Sequence, residues 1–166
     1  MVHPAALPPR TLLERCKASA VRRSGPGGQH RNKAHTGVVL VHTATGTRAE
    51  ASERRSREQN LDVALYRLRV NLALAVRGPA PAGPSELWRS RVRGGRLAVR
   101  VGHDDLPALL AEALDVLAAQ DNEVTAAAPW LGITPTQLVK LLAKEPRAVV
   151  ELNARRAAKG LRALKA

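Results

Sequence analysis

Phenylalanine is absent from this chain of 166 residues, tyrosine occurs once (Tyr66) and tryptophan twice (Trp88, Trp130). Aliphatic Leu, Val and Ala must therefore supply nearly all of the buried area. With 45% hydrophobic residues there is still enough apolar material for a core, and the expectation is helices with modest sheet. Cysteine also occurs once, as Cys16, which excludes an intramolecular disulfide. With five scattered histidines it offers no C-x-x-C or H-E-x-x-H spacing for a metal. Cys16 lies in an apolar alternation with no His or acid beside it, so it reads as a structural thiol rather than a nucleophile. A reducing, cytoplasmic setting without cofactor is expected. No apolar run approaches the roughly 20 residues of a spanning helix, and no basic segment precedes an apolar one at the N-terminus. The chain reads as soluble, with no membrane partner.

Acidic residues are the last shortage: 14 Asp and Glu face 27 Lys and Arg, a formal net charge of +13 and a pI near 11.4. A polyanion is the natural partner of such a surface, nucleic acid before anionic membrane. The excess is uneven, because residues 1–78 carry 14 basic and 5 acidic side chains and residues 79–166 carry 13 and 9. The front half is the expected polyanion surface.

Along the chain, "TLLER" gives a short helical turn and "CKASAVR" (Cys16 to Arg22) alternates as a strand. "TGVVLVHTA" and "TRAEAS" are β-type runs joined at Thr45-Gly46, a hairpin in which Val39, Val41 and Thr43 share one face. From Ser56 to about Val76, Leu61, Ala64, Leu65, Leu68, Leu72 and Leu74 recur near one side of a helical period, with Arg57, Arg67 and Arg69 largely off it. Ser56 and Gln59 have the spacing of a capping box. These elements make a β-α-β-β-α unit with the long helix on one sheet face. "RGPAPAGPS" (Arg77 to Ser85) is a linker by composition. Residues 86–103 hold five arginines, and either Gly94-Gly95 turns between two short strands or the stretch is an ordered loop. Asp104 or Asp105 can cap the helix "DLPALLAEALDVLAAQD". "EVTAAAPWL", Gly132 and a helix capped by Thr134 with Gln137 at N3 then have helix-turn-helix spacing. The fold class is α+β: a small N-terminal domain (1–78), a linker and Arg-rich segment (79–103), and a helical C-terminal domain with a basic tail (104–166).

The most informative stretch is "SGPGGQHRNK", Ser24 to Lys33. As a plain wide turn it needs no further explanation, and as a nucleotide loop it fails, being neither G-x-x-x-x-G-K-[ST] nor G-x-G-x-x-G. "RSGPGGQHRNKAHTGVVLVH" closely resembles the GGQ region of class I peptide chain release factors and of the smaller ribosome-rescue peptidyl-tRNA hydrolases built on the same domain. Ser24, Gly25, Gly27, Gly28, Gln29, Asn32, Lys33 and the Val38 to His42 strand match that pattern in order, and "RSREQN" keeps its Arg, Ser and Asn as Arg55, Ser56 and Asn60. The resemblance covers roughly residues 15–78. Departures are Pro26 and Arg31 at variable or often apolar positions, His35 where Asp or Asn is common, and Arg57 where Gln is usual.

The resemblance implies hydrolysis of the ester between a nascent peptide and tRNA in the ribosomal peptidyl transferase centre. Gly27, Gly28 and Gln29 would be the catalytic residues, with no metal or cofactor. It implies that Arg22, Arg23, Ser24, Gly25, His30, Arg31, Asn32, Lys33, Arg54, Arg55 and Arg57 contact large-subunit rRNA or the P-site peptidyl-tRNA. Their other reading is a solvated charged rim. His35 and His42 have no neighbouring carboxylate to tune them and read as surface or strand histidines rather than general bases. Only 23 residues precede Ser24, so no codon-reading domain is expected and the resemblance is to the codon-independent rescue hydrolases, acting as a monomer. Arg155, Arg156, Lys159, Arg162 and Lys165 lie in a tail without acid over residues 152–166 and would anchor the protein on small-subunit RNA or in the mRNA channel. The alternative is a non-enzymatic nucleic-acid-binding protein, ribosome-associated or regulatory. In it the helix-turn-helix would offer Thr136, Gln137, Lys140 and Lys144 as contacts.

Overall fold

The computed structural model describes residues 2–21, 36–79 and 81–165, which form two compact units, Met1–Ala75 and Val76–Ala166. In the first, a 3₁₀ turn (Pro4–Ala6) and helix α1 (Pro9–Glu14) lead into strand β1 (Cys16–Val21). Strands β2 (Gly37–His42) and β3 (Arg48–Ala51) and the long helix α2 (Arg57–Ala75) follow. The strands form one antiparallel sheet in the order β1-β2-β3. The helix expected between the first two strands falls on residues outside those described. Gly46, at φ 68°, lets the β2–β3 connection close, with the His42 N–H donating to the Thr47 carbonyl at 2.9 Å.

The core face of the sheet is set by parity. Val38, Leu40 and His42 are 0–4% exposed, and Ala51 and Ala49, paired across from Val38 and Leu40, are buried with them. Val39, Val41 and Thr43 share the opposite side, where only Val39 is buried, Val41 is half-buried and Thr43 is exposed. Helix α2 packs on β2 and β3 and contributes Ala64, Leu65, Leu68 and Leu72. At about 1.5–3 kcal/mol for each fully buried aliphatic side chain, this interface is a substantial part of the unit's core. Arg69 departs from the expectation that it lies off the apolar side. It lies four residues from Leu65, on the buried side of α2, and is 9% exposed with its Nε donating to the Ala5 carbonyl at 3.1 Å. Ser56 stands at the N-cap of α2, where its Oγ accepts the Gln59 N–H at 3.5 Å.

The second unit begins with both ends of the Pro-rich segment fastened to one helix. That helix, α4 (Leu106–Ala119), follows α3 (Glu86–Arg91) and a hairpin of β4 (Val92–Arg93) and β5 (Arg96–Leu97). Gly78 donates its N–H to Asp115 at 2.9 Å, and Ser85 donates its N–H and Oγ to Glu112 at 2.7 and 2.6 Å. Ser85 also caps α3 by accepting the Trp88 N–H. Of the two readings open for residues 86–103, the strand–Gly-Gly–strand one is found. Asp105 precedes α4 but makes no capping bond; its carboxylate is taken by Arg91, whose Nε donates to it at 2.9 Å. Helices α5 (Val124–Trp130), α6 (Pro135–Leu142) and α7 (Pro146–Ala158) complete the unit. Gly132, at φ 68°, turns between α5 and α6, and Thr134 caps α6 by accepting the Gln137 N–H at 3.2 Å. Trp88 is fully buried and donates Nε1–H to the Leu131 carbonyl at 2.8 Å, tying α3 to the end of α5.

Candidate functional site

Val21, the last residue of β1, pairs with Gly37, the first of β2. The segment that carries the GGQ tripeptide therefore leaves and re-enters the sheet at two directly paired positions. Arg22, Arg23, Ser24, Gly25, Gly27, Gly28, Gln29, His30, Arg31, Asn32 and Lys33 lie outside the described residues, as do Pro26 and His35. What is described is the base that holds the segment.

Two residues build that base. Gly37 is required by crowding, because a Cβ there would meet the Val21 carbonyl oxygen at 2.5 Å and the Ser52 Cβ at 3.3 Å. Any side chain would force the two strand ends apart. Asn60, in the first turns of α2, is fully buried and makes three hydrogen bonds. Its Nδ2 donates to the Thr36 carbonyl at 2.8 Å and to the Arg54 carbonyl at 3.0 Å. Its Oδ1 accepts the Arg54 N–H at 2.9 Å. One amide side chain thus fixes the residue where the chain rejoins β2 to the segment that enters α2. In the sequence Asn60 stands out only as a match to the family pattern. The signal that could have revealed its role is a polar residue one helical turn ahead of Ala64 on the apolar stripe, the position of an inward-facing group.

The basic residues at the start of α2 are placed by this same tie. Arg54, Arg55 and Arg57 are exposed, and none is ion-paired among the described residues. Of the nearby acids, Glu50 pairs with Arg48 at 2.8 Å and Glu53 with Arg67 at 2.6 Å, while Glu58 lies exposed in the first turn of α2. Burial pushes the Glu53 carboxyl up, but the backbone N–H groups of Glu53 and Ser52 and the Arg67 guanidinium outweigh it and hold the group below the usual carboxylate range. Arg54, Arg55 and Arg57, set against Glu58 alone, leave an excess of positive charge at this helix N-terminus among the described residues. Cations there oppose the helix dipole, an arrangement that an anionic partner relieves.

His42 is not poised for proton transfer. Its Nδ1 lies 2.9 Å from Thr45 Oγ1, and burial, with Arg15 adding to it, lowers its pKa below the ordinary histidine value. Cys16 donates its thiol to the Leu12 carbonyl at 3.1 Å, and burial raises its pKa, the opposite of an activated nucleophile. Among the described residues, no group of three or more His, Cys, Asp or Glu could hold a metal ion, and no helix is long and apolar enough to cross a membrane.

The tail residues separate into two kinds. Arg156 is 7% exposed and acts inside its unit, donating to the Asn122 carbonyl at 2.6 Å and the Arg162 carbonyl at 3.0 Å, with Glu123 at 3.3 Å. Arg155 pairs with Glu151 at 3.7 Å, and Lys159 pairs with Asp121. Arg162 and Lys165 are exposed. The segment after α7 folds back on the helix, where Asn153 exchanges two hydrogen bonds with the Leu164 backbone. On α6, Thr136 and Lys140 are exposed, and Gln137 is half-buried, as is Lys144 just beyond the helix.

No solved structure matches the chain. Residues 13–84, which span β1, the GGQ tripeptide, the β2–β3 hairpin and all of α2, match the RF-1 domain, the GGQ domain of release factors.

Proposed function

We propose that this chain hydrolyses the ester of peptidyl-tRNA on the ribosome without reading a stop codon. The RF-1 domain match over residues 13–84 carries the reading, because domains of that family catalyse ribosome-dependent peptidyl-tRNA hydrolysis. The Ser-Gly-x-Gly-Gly-Gln run at Ser24 to Gln29 supports it.

The chemistry follows from what a glycine-rich, acid-free segment can supply. Water attacks the ester carbonyl carbon, negative charge develops on the carbonyl oxygen, and the bond to the terminal ribose oxygen breaks as that oxygen takes up a proton. Gly27 and Gly28 have no side chain to obstruct approach to RNA and can take φ > 0. The Gln29 N–H then reaches the reacting centre while its side chain admits and orients the water. One backbone donor aimed at developing charge is worth about 2.7–4 kcal/mol in well-studied oxyanion sites. Arg22, Arg23, Arg31 and Lys33 neutralise phosphates of large-subunit rRNA and P-site tRNA, and Ser24, Gly25, His30 and Asn32 add hydrogen bonds to ribose or phosphate. Arg54, Arg55 and Arg57 extend that surface from the start of α2. Arg162 and Lys165, with Arg155 and Lys159 beside them, are the tail residues able to reach small-subunit RNA or the mRNA channel. Arg156 serves the tail by holding it to its unit. A cytoplasmic protein organised as a hydrolase domain (1–78), a connecting Arg-rich segment (79–103) and a helical domain (104–166) fits this role.

The test is peptide release from purified ribosomes stalled without a stop codon in the decoding site. Wild type frees the peptide, and Gln29→Ala and Gly28→Ala bind the ribosome but do not. Equal release by the two variants would remove the catalytic role of Gly28 and Gln29, and no release by wild type would remove the enzymatic reading and leave a non-catalytic RNA-binding protein. Release only from complexes displaying a stop codon would remove the codon-independent part.

A further inference from the structure

The β4–β5 hairpin carries an arrangement that works against its own stability. Arg93 and Arg96 are directly paired across the two strands, which puts their Cβ atoms about 4.5–5.5 Å apart, and like charges so placed destabilise a hairpin. The two residues between them, Gly94 and Gly95, have φ of 55° and 70°, the positive pair a tight two-residue turn demands. Both arginines must therefore flank one sharp tip. Both are exposed, and neither has an ion-pair or hydrogen-bonding partner for its side chain among the described residues.

Arg89 and Arg100 add to the same segment. Arg89, in α3 shortly before β4, is exposed and, among the described residues, donates only to the Pro84 carbonyl at 2.9 Å. Arg100, three residues after β5, is exposed and unpaired among the described residues. The fifth arginine, Arg91, is neutralised by Asp105. The sole acid in residues 86–103 is Glu86. Four cations with no acidic partner among the described residues thus sit on one short hairpin and its two flanks, while Leu97 and Val92 are half-buried between them.

The geometry points to this hairpin as an RNA-backbone binding element, separate from the GGQ segment, which takes the phosphates of structured RNA. All four charges are arginine and residues 86–103 contain no lysine. Arginine is the cation whose planar fork matches phosphate oxygens two at a time, and a phosphate between Arg93 and Arg96 turns their repulsion into attraction. A membrane surface is the poorer fit, because the tip is two glycines with no aromatic or aliphatic group to insert. That the RNA is ribosomal rests on the function proposed above; that the hairpin binds RNA does not.

The test uses the full chain and fluorescence anisotropy on a labelled 20-base-pair RNA duplex between 50 and 200 mM salt. R89Q/R93Q/R96Q/R100Q is expected to weaken binding by at least tenfold at 100 mM salt and to reduce the slope of log affinity against log salt by about 2–4, close to one for each phosphate no longer neutralised. R93K/R96K keeps the charge and should weaken binding less than the glutamine pair R93Q/R96Q. R10Q/R48Q removes two exposed arginines that are already paired with Glu14 and Glu50 and serves as the charge control. An equal loss in that control and in R93Q/R96Q would overturn the proposal, since net charge alone would then explain binding. It would also be overturned if duplex affinity were unchanged in the quadruple variant, whether or not that variant lost binding to phosphatidylserine vesicles or to polyglutamate. No arm reads peptide release, so a chain that fails to hydrolyse peptidyl-tRNA would leave the hairpin's result standing, and the reverse.

Discussion

Replacing Asn60 with alanine should loosen the base of the GGQ segment more than any other single deletion in α2. The side chain is fully buried and satisfies Thr36 and both backbone groups of Arg54. Each such hydrogen bond contributes about 0.5–1.5 kcal/mol net, and a buried group left without a partner costs about 1–3 kcal/mol. Water can reach Arg54 and part of Thr36 after truncation, so not every group is orphaned, and the expected loss is about 2–4 kcal/mol. By native-state hydrogen exchange this is a fall of about 30- to 1000-fold in the protection of the β2 amides. Asn60→Asp is the sharper probe. It keeps the acceptor for the Arg54 N–H but points a second oxygen at two carbonyls, so its folded-state pKa is raised. The native protein then binds the proton more tightly than the unfolded chain, and the variant is expected to lose stability as pH rises from about 4 to 7. A loss below about 0.5 kcal/mol for Asn60→Ala, or an Asn60→Asp protein indifferent to pH, would refute the view that this side chain fastens the segment.

Gly37→Ala places a methyl group 2.5 Å from the Val21 carbonyl oxygen; a cost of about 1–3 kcal/mol and slower peptide release at unchanged tail-dependent ribosome affinity are expected. Burial and Arg15 depress the His42 pKa, so its stabilising contribution is complete above the unfolded value and is lost as pH falls below it. β2 protection should therefore decline from about pH 7 toward pH 5, and His42→Asn should flatten that decline. Trp88→Phe removes the donor to the Leu131 carbonyl and should lower the urea midpoint of the second unit by the equivalent of about 1–3 kcal/mol, read by Trp130 fluorescence. Arg156→Gln should destabilise the same unit by about 2–4 kcal/mol, because it strips a buried charge from the Asn122 carbonyl and Glu123. If instead it only weakened ribosome binding, its internal role would be refuted.

The elements that are legible in the sequence are those with a strong local signature. The β2–β3 hairpin is punctuated by Gly46, and α2 carries nineteen residues of regular apolar spacing behind a Ser cap. The turn at Gly94-Gly95 is visible as one of two alternatives, because two glycines permit a tight hairpin without requiring it. Features decided by tertiary packing are not legible. Nothing local says which side of β2 faces α2, since Val38, Leu40, Val39 and Val41 are all good strand formers; the parity is fixed by the small Ala49 and Ala51 opposite. Nor does a helical period reveal that a polar residue such as Asn60 is drawn inward to serve a carbonyl 24 positions away. Asp105 holds a capping position, yet its carboxylate goes to Arg91, because an ion pair across the chain outcompetes a local backbone bond.

The same distinction changes what a net charge of +13 means. Arginine is both a phosphate ligand and a long donor able to satisfy buried carbonyls, and the two uses cannot be told apart by counting. Arg69, Arg77 and Arg156 are spent internally, on Ala5, on Asp115, and on Asn122 with Arg162. Arg91 and Arg67 are held by carboxylates. Apart from Arg15 and Arg162, the arginines unpaired among the described residues fall in two places, at Arg54, Arg55 and Arg57 where α2 begins and at Arg93, Arg96 and Arg100 around the β4–β5 tip. A protein that needed positive charge only for solubility would have no reason to leave it in groups that repel themselves, at a helix N-terminus and across a two-residue turn. Those positions are unfavourable alone and favourable beside phosphate, so under the readings proposed above much of the excess charge forms two local groups suited to an anionic partner rather than a diffuse field. The prediction is correspondingly local: neutralising either group should shift the salt dependence of RNA binding, and neutralising Arg67 should shift stability instead.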